Sequence, residues 1–371
     1  MKTILTLFFC SSLFSAQNIF KNYIPPEYSF NIKNTDSLMK GSYINVNING
    51  MNKLLLFDTG APKSVIFNKS NELENIFGNG STKSAVGEKV NMKIVRSDEF
   101  SSSIVNTKYK TFFSIPDQYE NYTCSEKTID GILGMDFYFD SKKPVFLDYK
   151  SNTIKLLDNF TKKDYSDYFE ADVKFKGLLV KNIFIEIFVN GRKEKFLFDT
   201  GATDGSLYMK VPDEKIQADY TFETLVFSAS GIESSEMNII KENTVTIGKF
   251  TDIKTDIIYL KELPNNLMGL SFIKNFNWII DKKNGKIYFK PISGKKIHSQ
   301  IISRNSLYVA AYQKKLKIIF INKSENQKHY KIGDEIASIN NQIITPQNLC
   351  EMQNLLNKTE DWEKLNIQIK N

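Results

Sequence analysis

The sequence predicts a mostly-β protein: two lobes of one plan, followed by a small α+β unit. Three observations carry this. The pentapeptide Phe-Asp-Thr-Gly-Ala occurs twice, at residues 57–61 and 198–202. The segments around the first copy recur in the same order around the second, at offsets of 141 (199 − 58) and 135 (269 − 134), and loop lengths absorb the slip. Period-two alternation closed by Asn-Gly precedes both copies, in residues 44–48 with Asn49-Gly50 and residues 183–189 with Asn190-Gly191, the pattern of a strand entering a hairpin.

A chain of 371 residues is long enough for two or three domains. The net charge of +7 is spread along the chain, which argues for solubility rather than nucleic-acid binding. Only two histidines occur, His298 and His329, which disfavours Ser-His or Cys-His catalysis and histidine metal sites. Carboxylates are left as the strongest candidates for chemistry, with no cofactor or metal expected. Cys124 and Cys350 are far apart in sequence and fall in different units, so the expectation is that they are unpaired and inert.

From the N-terminus, Lys2, an apolar run over residues 4–14 and the small pair Ser15-Ala16 read as a signal peptide over residues 1–16. Its apolar part is short for a bilayer span, so a cleaved signal and an exported chain in the periplasm or outside the cell are expected, with no stable span in the mature chain, and an uncleaved anchor is the alternative. Residues 17–37 read as a polar lead-in broken by Pro25-Pro26. Lobe one occupies residues 38–157. Its strands are residues 44–48, the return strand 52–57 that delivers Asp58, and Val65-Ile66-Phe67. A hairpin tipped near Val86-Gly87, the segment Ile132-Leu133-Gly134 and a closing hairpin over residues 145–156 follow.

A polar linker covers residues 158–170. Lobe two, residues 171–292, repeats the order. Residues 195–198 deliver Asp199, Ser230-Gly231 marks the second hairpin tip, Leu267-Met268-Gly269 matches the earlier glycine segment, and residues 278–289 close the lobe. Residues 297–371 form the third unit, with strands around residues 307–310 and 316–321, a helical spacing over residues 349–356 and a terminal strand over residues 365–369.

Two strand-end aspartates, one per lobe, suit a shared site on a pseudo-twofold axis. Gly60 and Gly201 are expected to let the backbone turn tightly beside each carboxylate. Thr59 and Thr200 are placed to hydrogen-bond across the axis. Two carboxyls forced together share a proton, so one can activate water while the other supports a carbonyl oxygen. Either aspartate alone would read as a turn cap. Asp136, Asp148 and Asp281 also read as caps near turns, and Trp278 and Trp362 as core.

With these residues the chain resembles the retropepsin-like aspartic proteases over residues 38–292. The resemblance implies catalytic Asp58 and Asp199, support from Thr59, Gly60, Thr200, Gly201, Leu133, Gly134, Met268 and Gly269, and flaps at Val86-Gly87 and Ser230-Gly231. Viral members assemble the site from two chains, whereas here both halves lie in one chain, which implies a monomer acting on a peptide or protein substrate. Ala61 and Ala202 stand where pepsins usually carry a hydroxyl residue, which implies raised dyad pKa values and activity at mildly acidic to neutral pH. Neither flap tip carries the tyrosine of the pepsins.

Residues 297–371 resemble a PDZ domain of the bacterial protease-associated kind, through Lys331-Ile332-Gly333-Asp334-Glu335-Ile336-Ala337-Ser338-Ile339-Asn340-Asn341-Gln342. That resemblance implies docking of peptide tails by strand addition. The small residues that usually precede the signature are replaced by residues 324–327 and 329–331, so a structural role stays equally open. The alternative for the whole chain is a non-catalytic peptide-binding scaffold on the same fold.

Overall fold

The computed structural model describes residues 27–29, 31–32, 42–68, 73–83, 89–102, 106–108, 110–116, 124, 129–138, 143–176, 182–203, 205–212, 216–228, 231–261, 263–293, 297–299, 307–323, 329–359 and 361–370. It is mostly β. The expected signal peptide, the tip residues Val86 and Gly87, and Ser230 lie outside the described residues.

Lobe one holds β1 (Glu27–Ser29), β2 (Asn31–Ile32), β3 (Ser42–Ile48), β4 (Met51–Phe57), β5 (Val65–Asn68), β6 (Glu74–Lys83), β7 (Lys89–Ser97), β8 (Phe100–Ser101), β9 (Asn106–Thr107), β10 (Lys110–Pro116), β11 (Gly131–Leu133), β12 (Val145–Asp148) and β13 (Thr153–Leu156). The β3–β4 turn has Asn49 at φ 50 and Gly50 at φ 82, the left-handed pair that matches strand twist in a two-residue hairpin. β11 slots between β4, to which it is parallel, and β5, to which it is antiparallel. β10 then runs parallel to β5.

Lobe two holds β14 (Phe169–Lys176), β15 (Asn182–Val189), β16 (Arg192–Phe198), β17 (Leu207–Lys210), β18 (Tyr220–Ser228), β19 (Gly231–Ile247), β20 (Phe250–Leu260), β21 (Asn266–Met268), β22 (Phe276–Asp281) and β23 (Lys286–Pro291). The plan repeats. Asn190 and Gly191 turn at φ 48 and 78. β21 lies between β16, parallel, and β17, antiparallel, and β20 is parallel to β17. A short helix, α1 (Leu270–Ile273), follows β21 where a 3-10 turn (Met135–Tyr138) follows β11.

The lobes join through one sheet. β12 pairs antiparallel with β22, placing Val145 opposite Ile280 and Leu147 opposite Trp278. Those four side chains are fully buried, and Phe198 packs edge-on against Trp278 at 5.1 Å. One apolar core therefore runs under both lobes, containing Phe57 and Phe198 alike. Asp148 and Asp281 cap the tight turns of the two closing hairpins, as their positions suggest.

The N-terminal reading needs correction. Residues 17–37 are more than a polar lead-in, because β1 pairs with β13 and β2 with β3, occupying the places that β14 fills in lobe two against β23 and β15. Pro25-Pro26 precedes the strand rather than excluding one. The expected linker is also packed: Tyr165 meets Tyr168, Phe160 and Phe146 edge to edge or tilted, and Phe169 and Glu170 already belong to β14.

β24 (Ile297–Ser299) runs parallel to β20 of lobe two, so the C-terminal unit proper holds β25 (Leu307–Tyr312), β26 (Lys315–Asn322), β27 (Glu335–Ile339), β28 (Gln342–Ile343), α2 (Leu349–Lys358) and β29 (Ile367–Ile369). Leu349, Met352 and Leu356 recur along one face of α2 and close a separate core with Trp362, Leu316 and Ile336. The cysteine expectation is overturned: Cys124, between β10 and β11, forms a disulfide with Cys350 of α2, Cα to Cα 5.2 Å. Sequence separation hid the pair, since the two cysteines are 226 positions apart and only the fold brings them together. Among the described residues no helix is long and apolar enough to cross a membrane.

Candidate active site

Each aspartate sits where a buried strand ends. β4 brings Leu55, Leu56 and Phe57 into the core and leaves Asp58 at its tip; β16 does the same with Phe196, Leu197, Phe198 and Asp199. The support strands fix these tips from below. Asp58 N–H donates to the Leu133 carbonyl at 3.1 Å, and Asp199 N–H to the Met268 carbonyl at 3.0 Å. Beyond them, Met135 N–H donates to Ala61 O and Leu270 N–H to Ala202 O, both at 2.9 Å. A methyl on Gly134 would lie 2.6 Å from the Lys63 backbone, and one on Gly269 2.4 Å from the Gly205 carbonyl, so both glycines are dictated by close backbone approach.

The threonines cross the axis. Thr59 Oγ1 donates to the Phe198 carbonyl at 2.7 Å and accepts from Thr200 N–H at 3.0 Å. Thr200 Oγ1 donates to the Phe57 carbonyl at 2.8 Å and accepts from Thr59 N–H at 3.0 Å. All four bonds are buried, so each hydroxyl satisfies one donor and one acceptor of the opposite loop that have no water to turn to.

The carboxyls of Asp58 and Asp199 lie within hydrogen-bonding reach of each other. Within its own loop, Asp58 Oδ1 accepts from Gly60 and Ala61 N–H at 2.8 and 2.9 Å, and Asp199 Oδ1 from Gly201 and Ala202 N–H at 2.9 and 3.2 Å. The motif glycines serve a further purpose beside the tight turn. Neither is in the left-handed region. A methyl on Gly60 would stand 2.4 Å from the Asp199 carboxyl carbon, and one on Gly201 2.3 Å from that of Asp58. Each glycine makes room for the carboxylate of the other lobe.

Burial raises both carboxyls above the ordinary aspartate range, Asp199 well above it because the neighbouring Asp58 charge adds to the burial. Two carboxyls this close titrate as one pair that shares a proton.

One cluster goes beyond the turn-capping role that the position of Asp136 suggests. Asp136, just after the β11 segment, accepts from Ser64 Oγ at 2.5 Å and from Ser64 N–H at 3.2 Å through Oδ1, while Oδ2 pairs with Lys63 and Lys110 at 3.1 and 3.2 Å. Lys110 is 2% exposed, and burial pulls its pKa down. Burial pushes Asp136 up, but the two lysine charges and the Ser64 hydroxyl outweigh it and hold the carboxyl below its usual range. The hub ties the outgoing arm of the Asp58 loop to its support strand. Lobe two uses a neutral pair there, Ser206 and Thr255 at 2.7 Å. Lysine positions 47 residues apart in sequence gave no hint of it.

Of the expected hairpin tips, only Gly231 is described, opposite Ser228 where β18 and β19 meet. No group of three or more metal-ligating side chains occurs among the described residues. Compared with protein-family models the chain matches none, and no curated protein matches it in sequence.

Proposed function

We propose that the chain is a single-chain aspartic endopeptidase of the retropepsin-like kind, built of two acid-protease lobes and a PDZ-like C-terminal unit, and exported from the cell that makes it. The observation that carries the reading is the pair of strand-end carboxyls within hydrogen-bonding reach, held by four crossed threonine bonds. A structural role would not require two buried carboxyls to face each other, an arrangement that costs both desolvation and charge repulsion.

In this reading Asp58, as carboxylate, takes a proton from a water held between the two side chains. The hydroxide adds to the carbonyl carbon of a peptide bond, and Asp199 gives its proton to the carbonyl oxygen. In the second step the tetrahedral intermediate collapses as a proton from the Asp58 carboxyl moves to the departing amine and Asp199 recovers its own from the gem-diol. The buried loops supply fixed N–H dipoles and no covalent intermediate is needed.

The test is hydrolysis of a mixed peptide library by the purified chain, with and without a hydroxyl-bearing peptide isostere that mimics the tetrahedral species. Cleavage abolished by the isostere and by Asp58→Asn supports the reading. A chain that binds peptides equally well with Asp58→Asn and cleaves none is a scaffold instead, and the proposal falls.

A further inference from the structure

The C-terminal unit meets lobe two along a strand edge. β26 runs antiparallel to β18, the outer strand of the lobe-two hairpin, with Phe222 opposite Asn322 and Thr224 opposite Phe320. Thr224 Oγ1 donates to the Ile319 carbonyl at 3.2 Å, and Lys323 N–H to the Thr221 carbonyl at 2.8 Å. The Phe222 and Phe320 rings lie 4.7 Å apart. The Lys323 ammonium reaches Glu236 on β19 at 2.9 Å and Glu223 on β18 at 3.6 Å, so both strands of the hairpin are held. The corresponding hairpin of lobe one lacks this: among the described residues β6 pairs only with β7.

The unit is also bound covalently to lobe one, through Cys124–Cys350. Its own strand edge beside α2 is closed. Asn357 takes both the N–H and the carbonyl of Val309, at 2.9 and 3.0 Å, and Gln353 takes the N–H of Ala311 at 2.6 Å. A peptide adding a strand to β25 would have to displace both side chains. Strand addition has instead taken place at β26, and the added strand belongs to this chain.

We propose that the C-terminal unit is an internal brace whose partner is the lobe-two hairpin, holding that hairpin as a fixed wall of the cleft above the dyad. The second half of this statement rests on the hydrolytic reading of the dyad. The physical route is short. Phe320 and Leu267 belong to one apolar cluster with Phe222, Ile239 and Ile258. Leu267 precedes Met268, whose carbonyl holds the Asp199 N–H. A loosened β26 therefore acts on the hairpin and on the floor of the Asp199 loop together.

The experiment uses the full chain carrying Lys323→Glu and Cys350→Ser, alone and combined. Hydrogen exchange is read at residues 222–225 and 237–239, and KM and kcat are read with a cleavable peptide. The double variant is expected to exchange at least about ten-fold faster at these amides, with β22 and β23 unchanged, as for a local opening. KM is expected to rise roughly three- to ten-fold with a smaller change in kcat. Adding Glu236→Lys to Lys323→Glu restores the ion pair and should return both readings toward the parent values. Unchanged exchange in the double variant overturns the brace. Faster exchange with unchanged KM overturns its part in the cleft. A parent chain that cleaves no peptide defeats the hydrolytic reading, while the exchange result still decides the brace.

Discussion

Burial, with the neighbouring Asp58 charge added to it, raises the folded pKa of Asp199, and this has a thermodynamic signature. Its folded pKa lies above the unfolded value, so folding binds the proton and stability falls as pH rises through the folded pKa. Asp199→Asn keeps an acceptor for the Gly201 and Ala202 N–H groups and removes the cost of ionisation. We expect this variant to lose less stability than the parent between about pH 4 and neutrality, read by thermal melts, and to lose at least ~100-fold in hydrolysis. Hydrolysis itself should follow a bell whose limbs belong to the pair rather than to either residue. Ala61 and Ala202 each offer the Oδ1 atom of their own loop's aspartate a backbone N–H but no hydroxyl. The bell should therefore lie at mildly acidic to neutral pH, and a maximum below about pH 3, under the free carboxylate range, would refute the assignment. Asp136 has the opposite sign. Its folded pKa is depressed, so the stability it gives is present above the unfolded pKa and lost on acidification through the folded one. Asp136→Asn strands Lys110 in the core and should cost about 3–5 kcal/mol in denaturant unfolding, and Lys110→Met in the same chain should recover part of it.

At the scale of elements, the two Asp loops are bonded to each other by four buried hydrogen bonds as well as to their own support strands. Thr200→Ala would remove the hydroxyl that binds both the Phe57 carbonyl and the Thr59 N–H, at a cost of roughly 1–3 kcal/mol for each buried bond lost. Thr200→Ser keeps the hydroxyl and should fall well short of that loss; equal losses for the two variants, in urea titrations, would remove the hydrogen bonds from the account. The motif made this crossing legible in advance, because a hydroxyl residue next to each aspartate has one obvious use on a twofold axis. The Asn-Gly hairpins and the glycine support strands were legible for the same reason: local chemistry dictates them. The pairing of β26 with β18 was not. Both strands alternate like any half-buried strand, and nothing local says which edge they seek. β1 was hidden as well, since three residues after a Pro-Pro pair carry too little pattern to read as a strand.

Over the whole molecule, one chain supplies both carboxyls, both threonines and a core that is continuous beneath them. Specific activity should therefore be independent of protein concentration over a roughly thousand-fold dilution, unlike a site formed by mass action between subunits; a fall on dilution would mean that a second copy completes the site. What lay beyond the sequence at this scale was contact between distant segments: the disulfide, the β12–β22 seam and the docking of the last unit. The crossed glycines carry the same idea into the history such a repeat can have. Two halves of similar plan are ordinarily free to drift apart, each answering only to its own neighbours. Here the space beside each carboxyl is kept open by the other half, at Gly60 for Asp199 and at Gly201 for Asp58. A side chain gained in one copy of the pentapeptide is felt as a fault in the other, so the two copies are inherited as a single unit however far the lobes around them diverge.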